Sequence, residues 1–136
     1  MSSFHLQIVT PDGLFYDGQA EKLDVRAVTG GVTILPRHIN YVTPLGMGAA
    51  SVTIDGKDRL ASCIGGMLAV TGDEVKLIAT TFEWADQIDQ ARAQRALTAA
   101  QEKLQHREKL TADEIQLAEA KLRRALVRTS LAQNKS

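Results

Sequence analysis

One cysteine, three prolines, six aromatic residues and no long apolar run set the first limits on this 136-residue chain. A lone Cys63 rules out an internal disulfide framework, and its place in an apolar run reads as a buried thiol acting as a small hydrophobe. No apolar stretch approaches the ~20 residues that span a bilayer. The opening residues lack a basic segment followed by an apolar one. No signal peptide is therefore expected, and any membrane association should come through a partner rather than by insertion. Sixteen basic and sixteen acidic residues cancel, so the electrostatic signature of a nucleic-acid binder is missing. His5, His38 and His106 show no metal-ligand spacing, and no metal site is expected. Gly65-Gly66 lacks the lysine of a phosphate loop, and no Ser/His/Asp set can be assembled. The chain is not expected to perform bond chemistry.

What is present falls into two parts. In the first 84 residues apolar and polar side chains alternate in short runs, as half-buried strands do. Phe4, Leu6 and Ile8 form one such run and Leu23, Val25 and Ala27 another. Later runs are Ala50, Val52 and Ile54, and then Val75, Leu77 and Ala79. Thr10-Pro11-Asp12-Gly13 is a turn, and Asp55-Gly56 fits a two-residue hairpin. Gly30 to Gly46 reads as two strands, 32–35 and 39–42, joined at Pro36 by a fixed corner and crossing the middle of the domain. Gly65-Gly66 reads as a break between strands 59–64 and 67–70. The expected fold is an antiparallel β-sandwich of about ten short strands.

From residue 85 onward there is no Gly or Pro, and Ala, Gln, Arg and Leu dominate. Asp86 is expected to cap a first helix, with the stripe Ala93, Ala96, Leu97, Ala100 and Leu104. Thr111-Ala112-Asp113-Glu114 is a capping box opening a second. Its main stripe reads as Ile115, Ala118, Leu122, Ala125, Leu126 and Thr129, with a second stripe of Leu117, Ala120, Val127 and Leu131. The expected division is a sandwich over 1–84 and an antiparallel two-helix hairpin over 85–136. Charge divides likewise: six basic against nine acidic residues through residue 85, ten against seven after it. Lys121, Arg123, Arg124 and Arg128 gather toward the end of the second helix. They read equally as a solvated basic face or as a docking surface for an acidic partner.

Gly30, Ile34, Leu35, Pro36, His38, Ile39, Pro44 and Leu45 resemble a signature of the epsilon subunit of bacterial F-type ATP synthases. Gly31, Arg37 and Asn40 depart from it, standing where an acid, Gly and Pro are common. Ile64-Gly65-Gly66-Met67-Leu68-Ala69-Val70 is similar to a second segment of that family. The resemblance spans nearly the whole chain. It implies a non-catalytic central-stalk subunit, peripheral on the cytoplasmic face of the membrane, that couples proton flow to ATP synthesis. Its implied partners are the gamma subunit and the c ring, with Arg37 and His38 in the rotor-interface loop. It also implies that the hairpin can extend toward the alpha and beta subunits, where Lys121, Arg123, Arg124 and Arg128 would block ATP hydrolysis.

No cofactor is required on this reading, but ATP is a candidate regulatory ligand. Residues 88–93, IDQARA, resemble the motif through which some bacterial epsilon subunits bind it. Glu83, Ile88, Asp89, Arg92, Ala93, Arg124 and Arg128 occupy matching places, whereas Ala99 stands where the best binders have Arg. Asp89 could accept from the adenine amino group and Arg92 could pair with ribose or phosphate oxygens. Equally, Asp89 and Arg92 could be a helix-start ion pair worth only ~0.2–0.5 kcal/mol. A free-standing ATP-sensing module is the competing function.

Overall fold

A computed structural model of the chain describes residues 2–37 and 39–133, and these divide into two compact units, 1–84 and 85–136. In the first, eight strands form one sheet among the described residues. They are β1 (Phe4–Thr10), β2 (Gly13–Ala20), β3 (Lys22–Ala27), β4 (Gly30–Ile34), β5 (Tyr41–Pro44), β6 (Met47–Ile54), β7 (Lys57–Thr71) and β8 (Glu74–Trp84). The hydrogen-bonded order is β2-β1-β8-β7-β6-β3-β4, with β5 added on β7. Strands from both ends of that order contribute to one core. Phe4, Leu6 and Ile8 of β1 join Leu23 and Val25 of β3, Val52 of β6, and Leu68 and Leu77 of β7 and β8. The sheet therefore closes over itself as a sandwich, which buries the alternating apolar residues of β1, β3, β6 and β8.

Three features differ from the sequence reading. The strands number eight rather than about ten, because β7 runs unbroken for 15 residues through Gly65-Gly66. The pairing of Ile64 with Thr81 and of Gly66 with Ala79 keeps one register across the glycines. At this point β7 exchanges neighbours on its other side, from β6 (through Ile64) to β5 (from Met67). Gly66 has φ 109, and a Cβ there would stand 1.8 Å from the Ile78 carbonyl oxygen, so the glycine is a requirement of two backbones in close approach. Second, β1 pairs with β8 in parallel, the one parallel ladder among otherwise antiparallel pairs of the described strands. Third, the stretch 30–46 does not cross the middle: β4 ends the strand order and β5 pairs along β7 alone.

Local chemistry fixes the turns. Asp55 and Gly56 both have positive φ, 53 and 77, which gives the β6–β7 hairpin a twist matching its strands. The Glu21 carboxylate accepts from both of their N–H groups, at 2.7 and 2.8 Å. Phe15, Phe82 and Trp84 stack edge-on or tilted with centroids 5.2–5.8 Å apart, and the Arg59 guanidinium lies 4.1 Å over the Trp84 ring. Cys63 is buried, and desolvation pushes its thiol up to about 12, which leaves it inert.

The second unit begins with a 3-10 turn, Ala85–Gln87, followed by α1 (Gln90–Gln105), a 3-10 turn at Arg107–Lys109, and α2 (Ala112–Gln133). The cap of α1 is Asp89, not Asp86, which lies in the preceding turn. The capping box forms as read: Glu114 N–H donates to Thr111 Oγ1 and Thr111 N–H to the Glu114 carboxylate, both at 3.1 Å. Residues at the start of α1 and the end of α2 share one cluster, Ala85, Ile88, Ala93, Leu131 and Ala132, so the helices run antiparallel. Two stripe assignments change. Leu126 is 47% exposed and Ala96 is exposed, whereas Leu131, assigned to the second stripe, is buried. Leu131 lies on the face of α2 roughly opposite Ala118 and Ala125, and it is buried because Ala85 and Ile88, just before α1, join it and Ala132 in one cluster.

Candidate functional site

Two surfaces of the sandwich and one end of the hairpin are the candidates, the first assembled from residues that sequence reading did not bring together. The first surface is built by register. Pro44 pairs with Met67, Met67 with Ile78, and Ile78 with Val9. Directly paired residues project from the same face, so four apolar side chains make a row across β5, β7, β8 and β1. Their neighbours Thr43, Leu68, Leu77 and Ile8 point inward and are buried. Met67 is 40% exposed and Ile78 47%, and Val42 beside them reaches 65%. The adjoining row of Val42, Ala69, Lys76 and Gln7 turns polar at its far end. A contiguous apolar band with a polar rim on a sheet face has the character of a docking surface.

The second surface is the loop between β4 and β5. Arg37 is exposed and takes a left-handed φ of 64. A glycine, which the resemblance gives as common at this place, would adopt this conformation without strain. Leu35 and Ile39 flank it, 52% and 77% exposed. The Asn40 side chain accepts from Gly72 N–H at 2.9 Å and so ties the base of the loop to the β7–β8 turn. His38, paired with Arg37 in the sequence reading, lies outside the described residues.

The hairpin distributes the nucleotide-motif residues between structural and exposed roles. Ile88 and Ala93 are buried in the cluster with Leu131 and Ala132. Asp89 Oδ1 accepts from Arg92 N–H at 3.0 Å, a bond that holds the carboxyl below its usual range. The link between the two residues shown here is thus through the backbone of Arg92, whose side chain is exposed. Arg124 and Arg128 are half-buried on α2, while Lys121 and Arg123 are exposed. Because Ile88 and Ala93 meet Leu131, Arg92 and Arg128 belong to the same end of the hairpin. Glu83 stands in the other unit, on β8 opposite Ser62, and lines a cleft of about 330 Å3 with Thr10, Asp12 and Phe15.

Sequence reasoning missed a charged cluster as well as the apolar row. His5 Nδ1 lies 2.6 Å from a Glu74 oxygen, and its Nε2 is hydrogen-bonded to Asp17. Partners 12 and 69 residues away gave no local signal. Among the described residues no group of three or more His, Cys, Asp or Glu could hold a metal ion, and no helix is long and apolar enough to cross a membrane.

These features define a class. Residues 3–85 match the beta-sandwich domain of the ATP synthase delta/epsilon chain. The chain is 41% identical to the ATP synthase epsilon chain of Bacillus velezensis over 98% of its length and 100% of that protein's. It is 40% identical to that of Caldanaerobacter subterraneus over 96% and 94%. A chain in the structure of Euglena gracilis mitochondrial ATP synthase has a similar fold. Its TM-score is 0.83 at 19% identity, covering 98% of this chain and 83% of that one. A chain of the Tetrahymena thermophila mitochondrial ATP synthase central stalk and c-ring gives 0.62 at 9% identity, covering 94% and 95%. The protein belongs to the ATP synthase epsilon chains, a non-catalytic subunit of that complex.

Proposed function

We propose that the chain is the rotor-bound epsilon subunit of an F-type ATP synthase, peripheral to the membrane on its cytoplasmic side, with a regulatory hairpin. The apolar row of Pro44, Met67, Ile78 and Val9, widened by Val42, is the observation that carries this reading. On this proposal the row seats the gamma subunit, and the loop bearing Leu35, Arg37 and Ile39 faces the c ring. About half of the Met67 and Ile78 side chains remains to be buried. At ~1.5–3 kcal/mol for a whole side chain, that is roughly 1 kcal/mol each. Met67→Asp with Ile78→Asp in the full chain removes this and buries two charges, so capture by immobilised gamma subunit should weaken at least about a hundredfold, on 1.4 kcal/mol per decade. Undiminished capture would remove gamma from this face.

The hairpin supplies regulation in the same proposal. Extended, its Lys121, Arg123, Arg124 and Arg128 would meet an acidic surface of the beta subunit and restrain ATP hydrolysis. Folded, Asp89, Arg92, Arg124 and Arg128 would hold ATP, stabilising the non-inhibitory state only by the difference in affinity between states. The folded hairpin and the clustering of both helix ends support the second half of this cycle. The Asp89 carboxylate accepts from the backbone N–H groups of both Arg92 and Ala91 as it caps α1, and its remaining lone pairs would face a ligand donor.

A further inference from the structure

We propose that His5 is a proton-dependent clasp that fastens strand β2 to β1 and β8, so that the opening of β2 is set by pH. The geometry rests on both ring nitrogens. Nδ1 faces the Glu74 carboxylate at 2.6 Å and Nε2 faces Asp17. A neutral imidazole has one N–H and can donate to only one of them, leaving a lone pair against the other carboxylate. Only the imidazolium donates to both. The charged ring thus ties three strands: Asp17 on β2, His5 on β1 and Glu74 at the head of β8.

The surroundings are mixed in charge. On β2, Gln19 pairs with His5 in the ladder and accepts from Ser3 Oγ at 2.8 Å, so it is neutral and already engaged. Along β1 the next residue on the same face is the neutral Gln7, which sits between Asp17 and Lys76. The Asp73 carbonyl accepts the His5 backbone N–H at 2.9 Å, fixing the base of the side chain. Two acids face the ring directly and the lysine stands one register step away. β2 ends the strand order, so its hold on β1 is what keeps that edge closed.

The sign follows from both partners. The bonds to Asp17 and then Glu74 raise His5 above 6.5, so its contribution is complete below 6.5 and is lost as pH rises through the higher folded value. The bond from His5 lowers Asp17 below 3.8, so that contribution is complete above 3.8 and is lost as pH falls through the lower folded value. The clasp is closed between those two limits. With side chains 32–68% exposed, solvent screens part of the attraction.

The test is amide hydrogen exchange of β2 in the full chain from about pH 6 to about pH 9, spanning the histidine range, corrected for intrinsic exchange. In the wild type the opening constant of the β2 amides should rise with pH, about tenfold for each unit by which His5 titrates above its usual value. In His5→Gln it should stay flat. Titration of the His5 ring by NMR in the unmodified chain needs no variant and should show a midpoint above 6.5 that falls in Asp17→Asn and in Glu74→Gln. A wild-type midpoint at or below 6.5, or β2 opening that follows the same course in His5→Gln, would overturn the clasp.

Discussion

Gly66→Ala isolates a collision between two backbones. The residue has φ 109, and an added Cβ would lie 1.8 Å from Ile78 O, 2.8 Å from Ile78 C and 2.9 Å from Ala79 Cα. None of these atoms is the end of a flexible side chain, so β7 and β8 must separate where their register is otherwise continuous. Alanine in that backbone region costs ~1–3 kcal/mol by itself. Displacing packed neighbours adds ~1–3 kcal/mol. The sum of roughly 2–6 kcal/mol is a large part of the ~4–13 kcal/mol that 84 residues supply at ~0.05–0.15 kcal/mol each. Gly13 provides the control, with nearly the same φ of 115 and nothing within 4 Å of an added Cβ. Thermal denaturation of both variants separates the two costs. Gly66→Ala should melt below Gly13→Ala by about 4–8 °C for each kcal/mol of collision. Equal losses, within about 0.5 kcal/mol, would refute the reasoning.

Leu131→Ala should destabilise the hairpin by ~2–4 kcal/mol in helix melting followed at 222 nm, because it empties a cluster with few large side chains. Leu126→Ala, the same change at an exposed site of α2, should cost less than about 0.5 kcal/mol. Arg92→Ala removes a guanidinium without touching the cap, which uses the Arg92 backbone N–H. It should weaken calorimetrically measured ATP binding while leaving helix content intact; unchanged binding would remove Arg92 from the nucleotide site. Replacing Arg123, Arg124 and Arg128 together with Ala should raise ATP hydrolysis by the assembled enzyme without impairing assembly, and unchanged hydrolysis would remove them from inhibition.

The division at residue 84, the capping box at Thr111 and the Asp55-Gly56 hairpin are legible because each is local chemistry. What stayed hidden is what period and punctuation do not encode. Alternation says which face of β1 is buried but not that its neighbour is β8, and so the meeting of His5 with Glu74 could not be read. Gly65-Gly66 has the composition of a stop, yet it serves as the place where β7 exchanges one neighbour for another. In the helices, Asp86 and Asp89 are both competent caps, and only the turn at Ala85–Gln87 decides between them. The apolar row around Met67 is invisible in one dimension because its members come from four separate strands.

The parallel contact of β1 with β8 also has a meaning in time. His5 and Glu74 are 69 residues apart, and a ribosome adding about 5–20 residues per second needs roughly 3–14 s to make the second after the first. Through that interval the hairpins β1–β2, β3–β4 and β6–β7 can form on the emerging chain. Phe4, Leu6 and Ile8 must wait, because the edge that completes their sheet is the last strand of the sandwich to be synthesised. The nascent protein thus presents β1 with one edge held by β2 and the other open, and is most exposed to pairing with a stranger before Val75 and Leu77 leave the ribosome.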